Sequence, residues 1–207
     1  MIVEQIPEWV EHLRTSFDSG RTRPISWRIG QLKALRALIK DHEDEICAAV
    51  QADMGRPHTE SFIAEIGAPL SEIEHILKNL ASWVRNEHVA SPLANFPSRS
   101  YIQRDPLGVL LIIGPWNYPI QLLLTPLADA IAAGNCVLMK PSELAPNASA
   151  LMNKLVPQYL DKDCIKVVEG GIPESTALLA ERFDHIVYTG GEAVARIVME
   201  AAAKHLT

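Results

Sequence analysis

Two runs of sequence on either side of an apolar segment decide the fold: GVLLIIGPWNYP (residues 108–119) and NCVLMKPSE (residues 135–143). Residues 108–113 form a short, unbroken apolar run, which is typical of a strand buried on both faces of a parallel sheet. Pro119 suits the first turn of a helix, and Gly134 suits the C-terminal end of that helix. Residues 135–139 indicate a second buried strand. Together they predict a right-handed strand–helix–strand unit.

Polar side chains follow both predicted strands. Trp116 and Asn117 come after the first strand, and Lys140 and Glu143 come after the second. Ligands of open parallel sheets bind beyond the carboxyl ends of the strands, so we expect these residues to lie at one site. A lysine beside a glutamate can bind adjacent ribose hydroxyls, because the ammonium donates hydrogen bonds and the carboxylate accepts them. The alternative is a surface ion pair, which contributes little to stability.

The second half of the chain continues the alternation of strands and helices. We predict strands at residues 165–168 and 185–188, and helices at residues 146–160, 173–183 and 192–206. This pattern is typical of an α/β fold with an open parallel sheet and helices on both faces. Thr189, Gly190 and Gly191 follow the last strand and precede a helix, where backbone N–H groups can approach a phosphate. Alternatively, the glycines could be needed only for the backbone conformation of the strand-to-helix turn.

The first half of the chain shows helical periodicity and no pattern that indicates chemistry. Helices are predicted at residues 3–18, 25–50, 59–66 and 69–86, with a new helix starting near residues 41–44. Residues 91–98 are rich in proline, serine and asparagine, which indicates an exposed linker. Residues 101–103 indicate an extended segment. We therefore divide the chain into an N-terminal helical layer, residues 1–98, and an α/β part, residues 99–207.

Composition and charge argue against several classes of protein. The chain has 207 residues, 48% of them hydrophobic, and a net charge of −6. We therefore expect a sizeable core and neither disorder nor nucleic-acid binding. Cys47, Cys136 and Cys164 are widely spaced with no histidine at metal-binding spacing, so we predict buried thiols, no disulfide framework and no metal site. We also expect no signal peptide, no membrane-spanning segment and a cytoplasmic location.

The usual dinucleotide fingerprint is missing from the sequence. No G-x-G-x-x-G follows the first predicted strand, where only Gly114 is present. Asn117 could cap the helix that begins near Pro119. Its side-chain amide could instead donate a hydrogen bond to a developing oxyanion, which contributes about 3 kcal/mol when the geometry is right. The residues alone leave both roles open.

Three motifs in this order resemble the aldehyde dehydrogenase superfamily: PLGVLLIIGPWNYP (residues 106–119), VLMKPSE (137–143), and YTGG (188–191) ahead of an alanine-rich helix. The chain is most similar to the class 3-like branch, which acts on fatty or aromatic aldehydes, and the resemblance covers essentially the whole chain. It implies an atypical Rossmann fold that binds NAD, or NADP as the alternative, and that lacks the usual fingerprint. The helical layer would belong to the cofactor-domain side.

The resemblance also implies a role for each matching residue. Asn117 matches the oxyanion-hole asparagine, and Lys140 and Glu143 match the pair that binds the adenosine ribose. The other matches contact the cofactor: Ile113, Pro115 and Trp116 in one turn, Gly170 on the adenine side, and Thr189, Gly190 and Gly191 at the pyrophosphate. One departure is Ala195, where the family often has a glycine. Its methyl group could crowd the helix against the strand or the cofactor.

The resemblance places the catalytic cysteine and the general-base glutamate downstream of the Thr189 turn, and the chain stops at Thr207 before either. We therefore expect a truncated aldehyde dehydrogenase without its catalytic domain. The family oxidises an aldehyde to a carboxylic acid with NAD(P)+, but this chain alone should be inactive. The alternative is a non-catalytic nucleotide-binding or interaction module, or a degenerate remnant. An incomplete sheet exposes apolar surface, so we expect a homodimer or association through the sheet edge.

Overall fold

The computed structural model describes residues 2–207 and has a four-stranded parallel sheet at its centre. The strands are β1 (Glu87–Val89), β2 (Ser100–Ile102), β3 (Val109–Ile113), β4 (Cys136–Lys140), β5 (Ile165–Val167) and β6 (His185–Tyr188). The α-helices are α1 (Ile2–Asp18), α2 (Ile25–Asp41), α3 (Glu43–Met54), α4 (His58–Ser61), α5 (Ala68–Trp83), α6 (Gln121–Ala133), α7 (Pro146–Tyr159), α8 (Ile172–Ala180) and α9 (Glu192–Ala203).

The central sheet has the strand order β5-β4-β3-β6, and all three pairings are parallel. Every residue of β3 and β4 is buried, as expected for strands with helices on both faces. Ile113 lies opposite both Lys140 and Tyr188, so three strands end in the same row. The predicted α/β fold class is confirmed.

Helices cover the two faces of the sheet in a doubly wound arrangement. Strand order runs from β3 to β4 to β5 and then reverses to β6, so right-handed crossovers place α6 and α7 on one face and α8 on the other. Helices α2, α3 and α5 pack outside α6 and α7. Within residues 2–207, no helix is both long enough and apolar enough to cross a membrane.

Helix α1 packs differently from the other N-terminal helices. It contacts α8, β3 and β4, so it lies directly on the sheet and on the face opposite the other early helices. Its apolar stripe of Ile6, Val10 and Leu13 is buried there. The physical reason is that α8 spans only nine residues, and an amphipathic helix from elsewhere in the chain covers the remaining apolar surface of the sheet.

The predicted linker at residues 91–98 is the end of a β-hairpin. Strands β1 and β2 pair antiparallel, with Glu87 opposite Ile102, and a short 3₁₀ helix at Leu93–Asn95 lies between them. Strand β2 agrees with the extended segment predicted at residues 101–103, whereas the three exposed residues of β1 are too few to show an alternation in sequence. Backbone pairing therefore crosses the predicted division at residue 98.

The two helices predicted at residues 59–66 and 69–86 are one continuous helical run. Helix α4 passes into a π-helix at Phe62–Gly67, which passes into α5. A π-helix inserts an extra residue into the turn and leaves no periodicity that sequence inspection recognises. Its effect here is to place Glu65 fully inside the protein.

Gly134 ends α6 as predicted, and its left-handed conformation (φ 90°) is required there. The site is also crowded, because a Cβ atom on Gly134 would lie 2.6 Å from the Cζ atom of Arg28. The buried Arg28 guanidinium donates a hydrogen bond to the Ala132 carbonyl at 3.2 Å. The Thr22 hydroxyl donates to the Gly134 carbonyl at 2.6 Å. The first half of the chain therefore caps the C-terminal end of α6.

We predict that Gly134→Ala destabilises the fold more than Gly55→Ala. Gly55 also ends a helix with positive φ (68°), but within residues 2–207 no heavy atom other than those of neighbouring residues along the chain lies within 4 Å of its would-be Cβ. Gly55→Ala should therefore cost only the backbone strain, about 1–2 kcal/mol. Gly134→Ala should cost about 1–3 kcal/mol more, because the methyl group must displace buried Arg28. Urea unfolding measures both variants, and equal losses would contradict this account.

Candidate functional site

A cavity of about 680 Å³ lies at the carboxyl ends of β3, β4 and β6. Nine of the ten residues predicted for the site line it: Ile113, Pro115, Trp116, Asn117, Lys140, Glu143, Thr189, Gly190 and Gly191. The tenth, Gly170, does not. The cavity lies where strand order reverses between β3 and β6, which is where ligands bind in open α/β sheets.

Backbone hydrogen bonds hold the three turns of the cavity together. The Gly114 N–H donates to the Lys140 carbonyl at 3.1 Å, and the Thr189 N–H donates to the Ile113 carbonyl at 3.3 Å. These bonds continue the sheet ladder one residue beyond the strands. The spacing of the turns is therefore set by the sheet, and Asn117 and Lys140 lie at the same edge.

Lys140 and Glu143 form an ion pair in which the two partners differ in exposure. The Lys140 ammonium donates to Glu143 Oε2 at 2.8 Å and to the Pro141 carbonyl at 3.0 Å. The Lys140 side chain is 3% exposed and the Glu143 side chain 46% exposed. The alternative of an exposed surface pair is therefore wrong for Lys140. Its ammonium lies buried in the cavity wall and fixes a carboxylate that solvent or a ligand can reach.

The environment keeps Glu143 charged. Partial burial raises the pKa of its carboxyl, but the hydrogen bond and the positive charge of Lys140 outweigh burial, so the pKa lies below its ordinary value. An ionised carboxylate only accepts hydrogen bonds. Glu143 is therefore a fixed acceptor at neutral pH.

The Thr189-Gly190-Gly191 turn accommodates the Tyr188 side chain and also presents backbone N–H groups to the cavity. The Tyr188 hydroxyl donates to the Gly191 carbonyl at 3.2 Å, and a Cβ on Gly190 would lie 2.2 Å from that hydroxyl oxygen. Packing of Tyr188 thus requires Gly190, which supports the structural reason for the glycines. Helix α9 starts directly after the turn, and no side chain of residues 2–207 caps it, so its first-turn N–H groups are available to a ligand.

The interpretation of Asn117 as a helix cap is wrong. Helix α6 begins at Gln121, and Glu65 caps it by accepting from the N–H groups of Ile120 (3.1 Å) and Gln121 (2.8 Å). Across residues 2–207, the only hydrogen bond to Asn117 that involves a side chain is the one Arg56 donates to its backbone carbonyl. The Asn117 amide, which lines the cavity, is therefore available to a ligand.

Glu65 does not line the cavity but supports the turn beside it. The sequence did not reveal this role, because Glu65 lies about 55 residues from the turn that it caps. It is fully buried, and its other oxygen accepts from Arg56 Nη1 at 2.7 Å. Burial raises the pKa of Glu65, although the backbone N–H groups and Arg56 favour the charged form.

Gly170 serves the start of α8. Its φ is 153°, and a Cβ would lie 2.3 Å from Glu174 Cγ. The Glu174 carboxylate accepts from the Gly171 N–H at 2.8 Å and so caps the first turn. The role that the resemblance implies for Gly170 on the adenine side stays a prediction.

One face of α8 and one face of α9 form a further wall of the cavity that the sequence did not predict. The lining residues on these helices are Ile172, Ser175, Thr176, Leu179, Val194 and Ile197. These residues recur at helical spacing. Apolar residues on a face of the helix that does not pack on the sheet are the sequence pattern that could have indicated this wall. Ala195, the departure from the family pattern, donates its N–H to the Gly191 carbonyl at 3.1 Å, so the start of α9 is regular.

None of the three cysteines lines the cavity. Cys47, Cys136 and Cys164 are all buried, and Cys136 is the first residue of β4, at the opposite edge of the sheet. Burial raises the pKa of Cys47, and contact with Cys164 together with burial raises that of Cys136. A thiol with a raised pKa is a poor nucleophile. No cysteine among the described residues is placed to attack a ligand in the cavity.

Comparison with known proteins identifies the family. An open parallel sheet with a cavity at its carboxyl edge is common to many α/β enzymes. The profile of the aldehyde dehydrogenase family matches residues 2–207, so the chain belongs to that family.

Relatives support the class 3-like branch. The chain is 47% identical over 205 residues to a dog (Canis lupus familiaris) protein named "Aldehyde dehydrogenase, dimeric NADP-preferring", covering 99% of this chain and 45% of that protein. It is 50% identical over 198 residues to aldehyde dehydrogenase family 3 member A2 of Macaca fascicularis, covering 96% and 41%. A substrate-bound Staphylococcus aureus AldH superimposes with a TM-score of 0.95 at 40% identity, covering 98% and 44%. The chain thus spans less than half the length of these relatives.

We predict that Lys140→Met raises the pKa of Glu143 above its wild-type value. Removal of the ammonium leaves burial, which acts upward, as the main influence. NMR titration of the carboxyl carbons measures this. Because the pKa is depressed in the folded wild type, the stabilising contribution of Glu143 is present above the ordinary carboxyl pKa. It is lost as pH falls through the folded value, and Lys140→Met should remove this pH dependence.

The matched control is Lys154→Met, which removes the 3.3 Å contact of Lys154 with Glu45 on the surface. This variant should raise the pKa of Glu45 and leave that of Glu143 unchanged. An unchanged Glu143 pKa in Lys140→Met would show that the ion pair does not control the charge of the cavity.

Proposed function

We propose that the cavity binds the adenosine and pyrophosphate part of NAD+, and that this chain is the cofactor-binding part of an enzyme that oxidises an aldehyde to a carboxylic acid. The observation that carries the proposal is the buried Lys140 ammonium holding the Glu143 carboxylate at 2.8 Å in the wall of the cavity. A donor and a fixed acceptor side by side suit the two adjacent hydroxyls of a ribose. Family membership supports this assignment.

The walls of the cavity suit the groups on either side of that ribose. Ile172 on α8 and Val194 and Ile197 on α9 expose apolar surface that an adenine ring would cover. The uncapped first turn of α9 suits a pyrophosphate, because N–H groups and the helix dipole favour an anion there. Glu192 adds a negative charge at this end, but the Arg196 guanidinium lies 2.6 Å from its carboxylate and offsets that charge.

The charge of Glu143 favours NAD over NADP. An NADP 2′-phosphate would lie near the carboxylate that accepts the ribose hydroxyls and would be repelled by it. The dog relative is named as NADP-preferring, so binding of NADP by this chain is the second expectation. We propose NAD as the preferred cofactor.

Asn117 is the residue of this chain that acts on the substrate. NAD+ supplies a hydride acceptor when it is bound. The free amide of Asn117 would donate a hydrogen bond to the aldehyde oxygen as negative charge develops on it, which is the role of an oxyanion hole. The chemistry also needs a thiolate nucleophile and a general base. Among the described residues no cysteine lines the cavity, and the one carboxylate in its lining, Glu143, is held by Lys140. We therefore propose that this chain alone does not oxidise aldehydes.

The outer edge of the sheet suits association with another chain. Within the described residues β6 has a neighbour on one side only, and Val194, Ile197 and Met199 of the adjacent α9 are exposed. Unpaired edges and apolar surface favour pairing. The name of the dog relative includes "dimeric". We propose that this edge pairs with further polypeptide, either a second copy or another segment of a longer protein.

We predict that calorimetric titration detects NAD+ binding to the 207-residue chain, with NADP+ binding more weakly. Lys140→Met and Glu143→Ala should each weaken NAD+ binding by about tenfold or more, because each removes a hydrogen bond to ribose made by a charged group. Lys154→Met should bind like the wild type. A folded wild-type chain that gives no heat with NAD+ would overturn the proposal and favour a remnant or an interaction module. Turnover of an aldehyde by this chain above a no-enzyme control would overturn the proposed inactivity.

A further inference from the structure

The Arg56 guanidinium joins the N-terminal helices to the turn that carries Asn117. Its Nη1 atom donates to Glu65 Oε1 at 2.7 Å, and its Nη2 atom donates to the backbone carbonyl of Asn117 at 2.5 Å. The Cζ atom of Arg56 lies 4.6 Å from the ring centroid of Tyr118, the next residue of the same turn. Only 11% of the Arg56 side chain is exposed. One largely buried cation therefore contacts both residues at the tip of the turn.

Glu65 fixes the other side of the same turn. Its Oε2 atom accepts from the N–H groups of Ile120 and Gln121, while its Oε1 atom accepts from Arg56. The carboxylate thus lies between the guanidinium and the first turn of α6. Glu65 belongs to the π-helix at Phe62–Gly67, a local irregularity of a kind that frequently occurs at functional sites.

The Asn117 side chain depends on its backbone for its position. Across residues 2–207, its amide makes no hydrogen bond of its own, so no contact of this kind fixes the rotamer directly. The Arg56 bond fixes the carbonyl of Asn117, and the Glu65 bonds fix the peptide groups three and four residues later. A donor to a developing oxyanion must be held in place before the reaction to be effective.

We propose that Arg56 and Glu65 are positioning residues that hold the backbone of Asn117 at the place from which its side-chain amide can bind the aldehyde oxygen. This inference rests on the proposed function for the role of Asn117, but the positioning itself can be tested without the reaction. Arginine suits the task because its planar fork donates in two directions at once. In Arg56 the two bonds leave from two separate nitrogens, Nη1 and Nη2. A lysine has one compact ammonium in place of that fork, so Arg56→Lys should not span both acceptors and should lose the bond to Glu65 or the bond to Asn117.

The test is NMR spectroscopy of the ¹⁵N,¹³C-labelled 207-residue chain, with the Asn117 side-chain signals identified by their loss in Asn117→Ser. In Arg56→Gln we expect the Asn117 carbonyl signal to shift and its side-chain NH₂ pair to broaden or split. Arg56→Lys should give an intermediate spectrum. In Glu65→Gln the Ile120 and Gln121 amides should exchange with solvent about tenfold faster or more, as expected for loss of a charged acceptor.

Arg14→Gln is the matched control. Arg14 also donates to one carboxylate, Asp184, and to one backbone carbonyl, that of Arg182, each at 2.9 Å, but at the opposite edge of the sheet. It should change the urea midpoint by a similar amount and leave the Asn117 signals unchanged. Unchanged Asn117 signals in both Arg56 variants would overturn the proposal, as would equal changes in Arg14→Gln. If Arg56→Gln does not fold, the Asn117 signals of Arg56→Lys and the Ile120 and Gln121 amide exchange of Glu65→Gln test the positioning role instead.

NAD+ titration separates this inference from the proposed function. Arg56 does not line the wall formed by Lys140, Glu143 and the α9 turn, so Arg56→Gln should bind NAD+ within about twofold of the wild type, well below the tenfold effect of a lost charged hydrogen bond. A tenfold loss of NAD+ binding in Arg56→Gln would show a general disturbance of the cavity and count against a local role. A wild-type chain that fails to bind NAD+ would defeat the proposed function, while the NMR comparison would still decide whether Arg56 positions Asn117.

Discussion

Helix α6 has unpaired backbone groups at both ends, and the first half of the chain supplies their hydrogen-bond partners. Glu65 accepts from the N–H groups at the start of α6. Thr22 and Arg28 donate to carbonyl groups at its end. Orphan groups of this kind are costly when they are buried. Because α6 follows the turn that contains Asn117, this constraint also determines where that turn lies.

The same arrangement recurs one helix later. Asp53 of α3 accepts from the N–H groups of Asn147 (3.0 Å) and Ala148 (2.8 Å) at the start of α7. The early helices therefore do more than cover apolar surface, since their carboxylates occupy the positive ends of the helices that follow β3 and β4. The hairpin that crosses residue 98 adds to this connection. A division of the chain near residue 98 therefore separates sequence patterns rather than independently stabilised units.

The sequence predicted those parts of the site that depend on local pattern. The apolar runs of β3 and β4 and the polar residues after them placed Asn117, Lys140 and Glu143 at one edge, because parallel strands end together. The burial of Lys140 could not be foreseen, since it depends on tertiary packing around the strand end. Glu65 was missed for a similar reason: a π-helix turns it inward, and its partners lie at residues 120 and 121.

Gly170 matches the family pattern, but the local structure is enough to explain why a glycine stands there. Its backbone conformation and the Glu174 side chain that fills the space beside it explain the glycine without a ligand. Gly190 likewise accommodates Tyr188, although it also lines the cavity. A family resemblance identifies positions, and only the packing around them separates a contact with a ligand from the geometry of a turn.

The most direct measurement of the central claim is a map of backbone amide chemical-shift changes as NAD+ is added to the 207-residue chain. If the carboxyl edge of the sheet binds the dinucleotide, the largest changes should fall on Lys140, Glu143, Gly190, Gly191 and the first turn of α9. The hairpin of β1 and β2 and the opposite edge around Cys136 should be unaffected. Changes confined to the hairpin or to that opposite edge, or no changes at saturating NAD+, would contradict the account.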